Sequence, residues 1–146
     1  MTAAMDANVP AGFARHFRRS PLTDPWEPLY SRRTDDAVVI GLRLVEAHTN
    51  SRGFVHGGLI SALADNAMGL SCAAKLAHGA GGLLTISLAV DFLGRAAIGQ
   101  WLAFNTTFVK IGRAICFAQS FVTADDEVIA KASASFRVQQ AAGDRG

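Results

Sequence analysis

The sequence has no proline after Pro28, only two cysteines, few charges and no run of basic residues. Each shortage excludes something. Proline interrupts helices and central strands. The four prolines stand at Pro10, Pro21, Pro25 and Pro28, so everything after them can run as unbroken elements. Cys72 and Cys116 lie far apart and neither belongs to a CxxC, which rules out a disulfide framework. Both sit in apolar stretches, where cysteine acts as a small core residue, and this fits a reducing compartment. Charged residues make up 18% of the chain, against a typical ~25%. Less surface is left to solvate, which points to a buried oligomer interface. The net charge is only +2, with no basic stripe interleaved with aromatics, so no nucleic-acid partner is expected. The densest basic spots, Arg15, Arg18 and Arg19, then Arg32 and Arg33, read as solvated surface of the N-terminal stretch. That N-terminus, MTAAMDANVP, shows neither a basic nor an apolar signal region, so a cytoplasmic protein is expected.

What is present is enough for one folded domain. Half of the 146 residues are hydrophobic, too many for a disordered chain. A chain of this length buries roughly two-thirds of its unfolded surface without a metal or disulfide. Residues 1–37 form an irregular segment. Phe13 and Phe17 fall at i, i+4 and predict a short helix over 11–19. Trp26, Leu29 and Tyr30 predict an apolar patch docked on the body. Residues 38–48 alternate, with Val38, Ile40, Leu42 and Leu44 on one face, and predict a strand. HTNSRG at 48–53 is turn-rich. Residues 57–77 (GGLISALADNAMGLSCAAKLA) predict a helix ~30 Å long.

A helix of that length could span a bilayer, but Asp65, Asn66 and Lys75 lie within it. A mid-membrane Asp or Lys costs roughly 2.5–3.5 kcal/mol on insertion scales. The segment therefore reads as a buried helix, covered on most sides, and no membrane partner is expected. HGAGG at 78–82 ends it. Four strands follow, near 83–93, 100–110, 113–124 and 127–138, joined by short turns that favour antiparallel pairing. One sheet wrapped around one helix is an α+β arrangement that leaves an edge or face unburied, and dimerisation solves this. The body is thus 38–138, with a tail at 139–146.

Asp65 is the chemical anomaly. It sits mid-helix among small apolar residues, where an isolated buried carboxylate is costly unless partnered. It can reach solvent at a groove, make a structural hydrogen bond to a neighbouring turn, or serve as a general base or nucleophile. His56, Gly57 and Gly58 precede the helix. Glycine there allows close backbone approach, and free N–H groups at a helix start can hold a carbonyl oxygen or oxyanion. A tight loop-to-helix turn explains the same residues. Gly57 and Asp65 are eight residues apart, ~12 Å along one helix, too far to act on one carbon. If both act, they come from different subunits. His16, His48 and His78 have no metal-ligand spacing. Ser61 and Ser71 lack a nearby histidine, which argues against a serine triad.

Asn50-x-x-Gly53-x-Val55-His56-Gly57-Gly58, followed by Leu63-Ala64-Asp65-Asn66-Ala67-Met68, resembles the hotdog-fold acyl-CoA thioesterases of the phenylacetate-pathway (PaaI-like) type. Thr85-Ile86-Ser87-Leu88-x-Val90-Asp91-Phe92-Leu93, Gly112-Arg113 and Ala130-Lys131-Ala132-Ser133-Ala134-Ser135-Phe136 match as well. The resemblance covers roughly 35–138. It implies an antiparallel sheet wrapped around a long central helix, paired into a homodimer or homotetramer with sites at the dimer interface.

The resemblance also implies roles for individual residues. The Gly57 N–H polarises the thioester carbonyl, and Asn50 binds the carbonyl or orients the loop. Asp65 of the partner subunit activates water or attacks, Thr85 assists the acid, and His56 shapes the turn. Gly58, Lys110, Gly112, Arg113 and, more weakly, Arg95 would bind substrate or coenzyme A. The family usually carries Arg-Pro where this chain has Gly94-Arg95-Ala96. Acyl-CoA is then the substrate and no cofactor is needed, because hydrolysis requires only water. Two other readings stand beside it. A hotdog protein could bind acyl-CoA without turnover, although a binder gains nothing from a buried acid. A hotdog dehydratase or hydratase would use a histidine and a differently placed acid.

Overall fold

The computed structural model describes residues 8–76 and 81–140. The expected glycine-rich helix stop at 78–80, the last residue of the expected helix and the tail from 141 lie outside the described residues. Seven strands form one antiparallel sheet. They are β1 (Ala14–Arg15), β2 (Tyr30–Arg33), β3 (Val38–Arg43), β4 (Leu83–Phe92), β5 (Trp101–Ile111), β6 (Ile115–Ala124) and β7 (Glu127–Val138). Their order across the sheet is β1-β2-β3-β5-β6-β7-β4. Among the described residues a single α-helix, α1 (Gly57–Ala73), packs against β3 to β7. This is the helix-in-sheet arrangement expected from the element order.

The packing follows from side-chain size. Leu59, Ile60, Leu63, Ala64, Ala67, Met68, Ser71 and Cys72 recur at helical spacing and are buried. The sheet meets them with Ile40, Leu42, Phe104 and Val122, and with Ala118, Ala130, Ala132 and Ala134. Alanine on both surfaces lets the helix lie close. Ser71 ties the helix to the start of β3. Its hydroxyl accepts from the Val38 N–H at 3.0 Å and donates to the Ala67 carbonyl at 2.7 Å. Both cysteines are free and buried. Burial first, then Cys116, pushes the Cys72 thiol up to about 12, so it stays an inert core group.

Four expectations need correction. Residues 11–19 contain no helix. Ala14 and Arg15 instead pair with Ser31 and Tyr30, and the His16 N–H donates to the Leu29 carbonyl at 2.9 Å. A sheet edge offered those backbone groups partners, and Phe13 turned to meet Trp101 edge-on at 5.2 Å. The strand β2 was not expected at all. The strand expected over 38–48 ends at Arg43, because Glu46–His48 form a 3-10 turn that buries His48. Finally, α1 is not covered on most sides. Ala62, Asp65, Asn66, Gly69 and Leu70 form a half-buried outer stripe.

Candidate active site

Asp65 lies on that outer stripe, and its neighbour is Thr85. The Thr85 hydroxyl donates to Asp65 Oδ1 at 2.7 Å. The strand supplies Thr85 through a local irregularity. The β4–β7 register shifts between Thr85 and Ser87, and such a bulge re-aims side chains beside it. Asp65 is half-buried, not sealed in the core, and it is not isolated. It opens into a cavity of about 440 Å³ that Thr85, Asn66 and Gly69 also line. The groove expected as one alternative is thus present; the hydrogen bond is made to strand β4, where a neighbouring turn was the expected partner.

The second group of residues lies at the start of α1. His56 is the N-cap, and its Nδ1 accepts the Gly58 N–H at 2.8 Å. Gly58 is therefore committed to the cap. A Cβ there would stand 2.9 Å from His56 Nδ1, so glycine is what lets the imidazole close over it. Gly57 is the first helical residue, and its N–H has no intrahelical acceptor by geometry. Its α-carbon faces the Phe92 ring, which a Cβ would approach to 3.2 Å. Phe92 closes this end of the site and was absent from the expected set. Its signal in the sequence, an aromatic at a strand end, is too common to single out.

Asn50 organises the preceding loop. Its Oδ1 accepts the N–H groups of Arg52 at 2.9 Å and Phe54 at 3.3 Å. Gly53 completes the turn in the left-handed region at φ +80°. The loop is then fastened to its neighbours. The Val55 N–H donates to the Ala96 carbonyl and the His56 N–H to that of His48, each at 2.9 Å. Arg95 lies over the Phe54 ring at 4.8 Å, so it reaches this loop without the family's proline.

Lys110, Gly112 and Arg113 stand together at the β5–β6 turn. The Gly112 N–H donates to the Ile115 carbonyl at 3.0 Å, and a Cβ at Gly112 would meet that oxygen at 2.3 Å. Only glycine fits this turn. Lys110 and Arg113 are exposed.

The structure thus brings Asp65 and Thr85 into contact. It gathers Asn50, His56, Gly57, Gly58 and Arg95 around the start of α1, and leaves Lys110–Arg113 as a third group. Gly57 and Asp65 remain two helical turns apart in one chain. The expected set also omitted the segment from His16 to Thr23, which lines the Asp65 cavity. Irregular, basic and proline-punctuated, it read as solvated surface. Among the described residues, no group of three or more His, Cys, Asp or Glu could hold a metal. Among the same residues, no helix is long and apolar enough to cross a membrane.

Comparison with known proteins defines the class. The thioesterase superfamily model matches residues 52–131, and the chain belongs to that family. It is a thioester hydrolase with the hotdog fold. Among its relatives is a Pseudomonas aeruginosa protein that carries the name of an esterase. That protein is 36% identical over 132 residues, covering 90% of this chain and 98% of its own. Mouse acyl-coenzyme A thioesterase 13 is 27% identical over 90 residues, 60% of this chain and 61% of its own. A Bacillus halodurans protein solved with CoA aligns at TM-score 0.68 and 25% identity, covering 76% of this chain and 74% of that one. A Streptococcus pneumoniae hypothetical thioesterase solved with coenzyme A aligns at TM-score 0.71 and 22% identity, over 80% and 92% of the two chains.

Proposed function

We propose that this chain hydrolyses acyl-CoA thioesters at a site built by two copies of it. The observation that carries the reading is the Asp65–Thr85 hydrogen bond at the wall of the cavity. Thr85 occupies Oδ1 of the carboxylate and leaves Oδ2 for a water molecule. The oxygen chemistry balances without a cofactor. Water adds to the thioester carbon while Asp65 of the partner subunit takes its proton. The carbonyl oxygen becomes an oxyanion held by the Gly57 N–H and the helix N-terminus. Collapse expels the CoA thiolate, which takes up a proton, and releases the free acid. Direct attack by the carboxylate, followed by hydrolysis of the anhydride, uses the same groups.

Three features support a shared site. Gly57 and Asp65 of one chain are too far apart to meet at one carbon. The β4 edge is the last in the sheet and is open. It also carries exposed Leu84, Ile86 and Phe92, which suits pairing with a second copy. Arg95, Lys110, Gly112 and Arg113 present basic and glycine positions for the phosphates and pantetheine arm of coenzyme A. The names of the mouse relative and of the CoA-bound structures agree with this ligand.

The test is thiol release from a panel of acyl-CoAs by wild type and Asp65→Asn. The variant is expected to keep its fold and lose about 100-fold or more in kcat, within the range of general acid–base catalysis. Wild-type turnover by Asp65→Asn overturns the mechanism. Binding without release, by the wild type itself, returns the chain to the sensor reading.

A further inference from the structure

One wall of the Asp65 cavity has no part in the mechanism above. The segment from His16 to Thr23 lines the cavity together with the outer stripe of α1. The cavity also reaches Leu29, Ile40, Leu63 and Phe136, all buried, so its depth is apolar. Three hydrogen-bonding side chains line the same space without partners among the described residues: the half-buried His16 and Asn66 and the exposed Arg18. His16 Nδ1 is buried and unpartnered. Arg18 and Asn66 make no hydrogen bond or ion pair, in contrast to Arg19, whose guanidinium is held by Asp24 at 3.2 Å. A buried polar atom without a partner is costly unless water or a ligand supplies one. The volume, about 440 Å³, is that of a small-molecule pocket.

We infer that this cavity holds the acyl group and that the His16–Thr23 segment selects acyl groups bearing an oxygen function, hydroxyl, oxo or carboxylate, away from the thioester. The inference rests on the acyl-CoA reading above and extends it to the substrate class. The hydrocarbon body lies against Leu63 and Phe136. The distal oxygen accepts from Arg18 and the Asn66 carboxamide, and a hydroxyl can also donate to His16 Nδ1. Such a site discriminates, because an unsubstituted chain displaces water from the half-buried His16 and Asn66 without replacing its hydrogen bonds, and offers the exposed Arg18 nothing.

The experiment compares hexanoyl-, 6-hydroxyhexanoyl- and adipoyl-CoA, which share chain length and every CoA phosphate. Wild type is expected to show kcat/KM at least about tenfold higher for one of the two oxygenated thioesters. Arg18→Leu, on the surface, should shrink that ratio severalfold, and His16→Leu with Arg18→Leu should bring it near one by lowering use of the oxygenated thioesters and raising use of hexanoyl-CoA. Gly69→Leu tests the location. A Cβ at Gly69 makes only an ordinary 3.5 Å contact with Phe136, so leucine can extend into the cavity. It should depress all three six-carbon substrates about tenfold and spare acetyl-CoA. Equal or better use of hexanoyl-CoA by wild type overturns the inference. So does an unchanged ratio in the double variant, or an unchanged chain-length profile in Gly69→Leu. If no thioester is hydrolysed, the acyl-CoA hydrolase reading fails separately, and the same ratios read from calorimetric Kd values still decide the selectivity.

Discussion

The contact between Asp65 and Thr85 joins residues twenty positions apart in the sequence. Asp65 stood out unaided, as a carboxylate in an alanine-rich helix. Thr85 did not, since one threonine in a strand is ordinary, and only the family resemblance pointed to it. Its position against Asp65 goes with the β4 irregularity, which no local pattern encodes. Gly58 shows the converse. The motif marks it, yet its amide serves the His56 cap. At this scale Thr85→Ala is expected to lower kcat about tenfold, which is ~1.4 kcal/mol, close to the lower end of the ~1.5–3 kcal/mol of a hydrogen bond to a charged group. KM should change little. Thr85→Ser should restore most of the rate, because it keeps the donor. A steady-state comparison of the three proteins checks this, and a Thr85→Ala enzyme at full rate removes the residue from the site.

At the scale of elements, the long patterned segments were legible and the short irregular ones were not. The four C-terminal strands and α1 fall within a few residues of their expected limits, because alternation and helical spacing persist over ten or more residues. The stretch 11–19 carried only one helical pair, Phe13 and Phe17. A helix that short gains little alone, and pairing with β2 gave its backbone better partners. The turn at Glu46–His48 is a second case, and it has a measurable consequence. His48 Nδ1 accepts the Val45 N–H at 3.0 Å, and Nε2 donates to the Trp26 carbonyl at 2.9 Å. Both bonds together require the neutral ring.

Burial lowers the His48 pKa below 6.5, and the bond to Trp26 opposes this only in part. The unfolded chain takes up the proton at the ordinary value, so below about pH 7 it binds more protons than the folded one. Stability is therefore full above that pH and falls as pH drops through 6.5 towards the folded value. The His16 imidazole, also lowered chiefly by burial, acts in the same direction. Urea midpoints between pH 7.5 and 5.5 should decline for wild type. His48→Gln should start lower and decline less steeply, with His16 supplying the remaining slope. An identical slope would remove His48 as a source of the acid sensitivity.

The whole molecule raises the question of the second copy. The low charge content already pointed to a covered surface, and the β4 edge shows where one can lie. Leu84, Ile86 and Phe92 are each more than half exposed along a ten-residue edge strand. Long apolar edges of this kind are normally protected or paired. The same strand carries Thr85 and brings Phe92 against Gly57, so pairing there would place two sites beside the interface. Stability and catalysis then depend on one surface.

Ile86→Lys separates these effects from folding. The side chain is 55% exposed in the single chain, so lysine leaves the core untouched and puts like charges across a two-fold contact. Sedimentation should show a shift from dimer or tetramer to monomer. Thiol release should fall in proportion, and raising the protein concentration should recover both together. A monomeric Ile86→Lys protein with full activity would show that each chain holds a complete site. Gly57 and Asp65, two turns apart on one helix, could then not act on the same carbon, and the shared-site mechanism would fail.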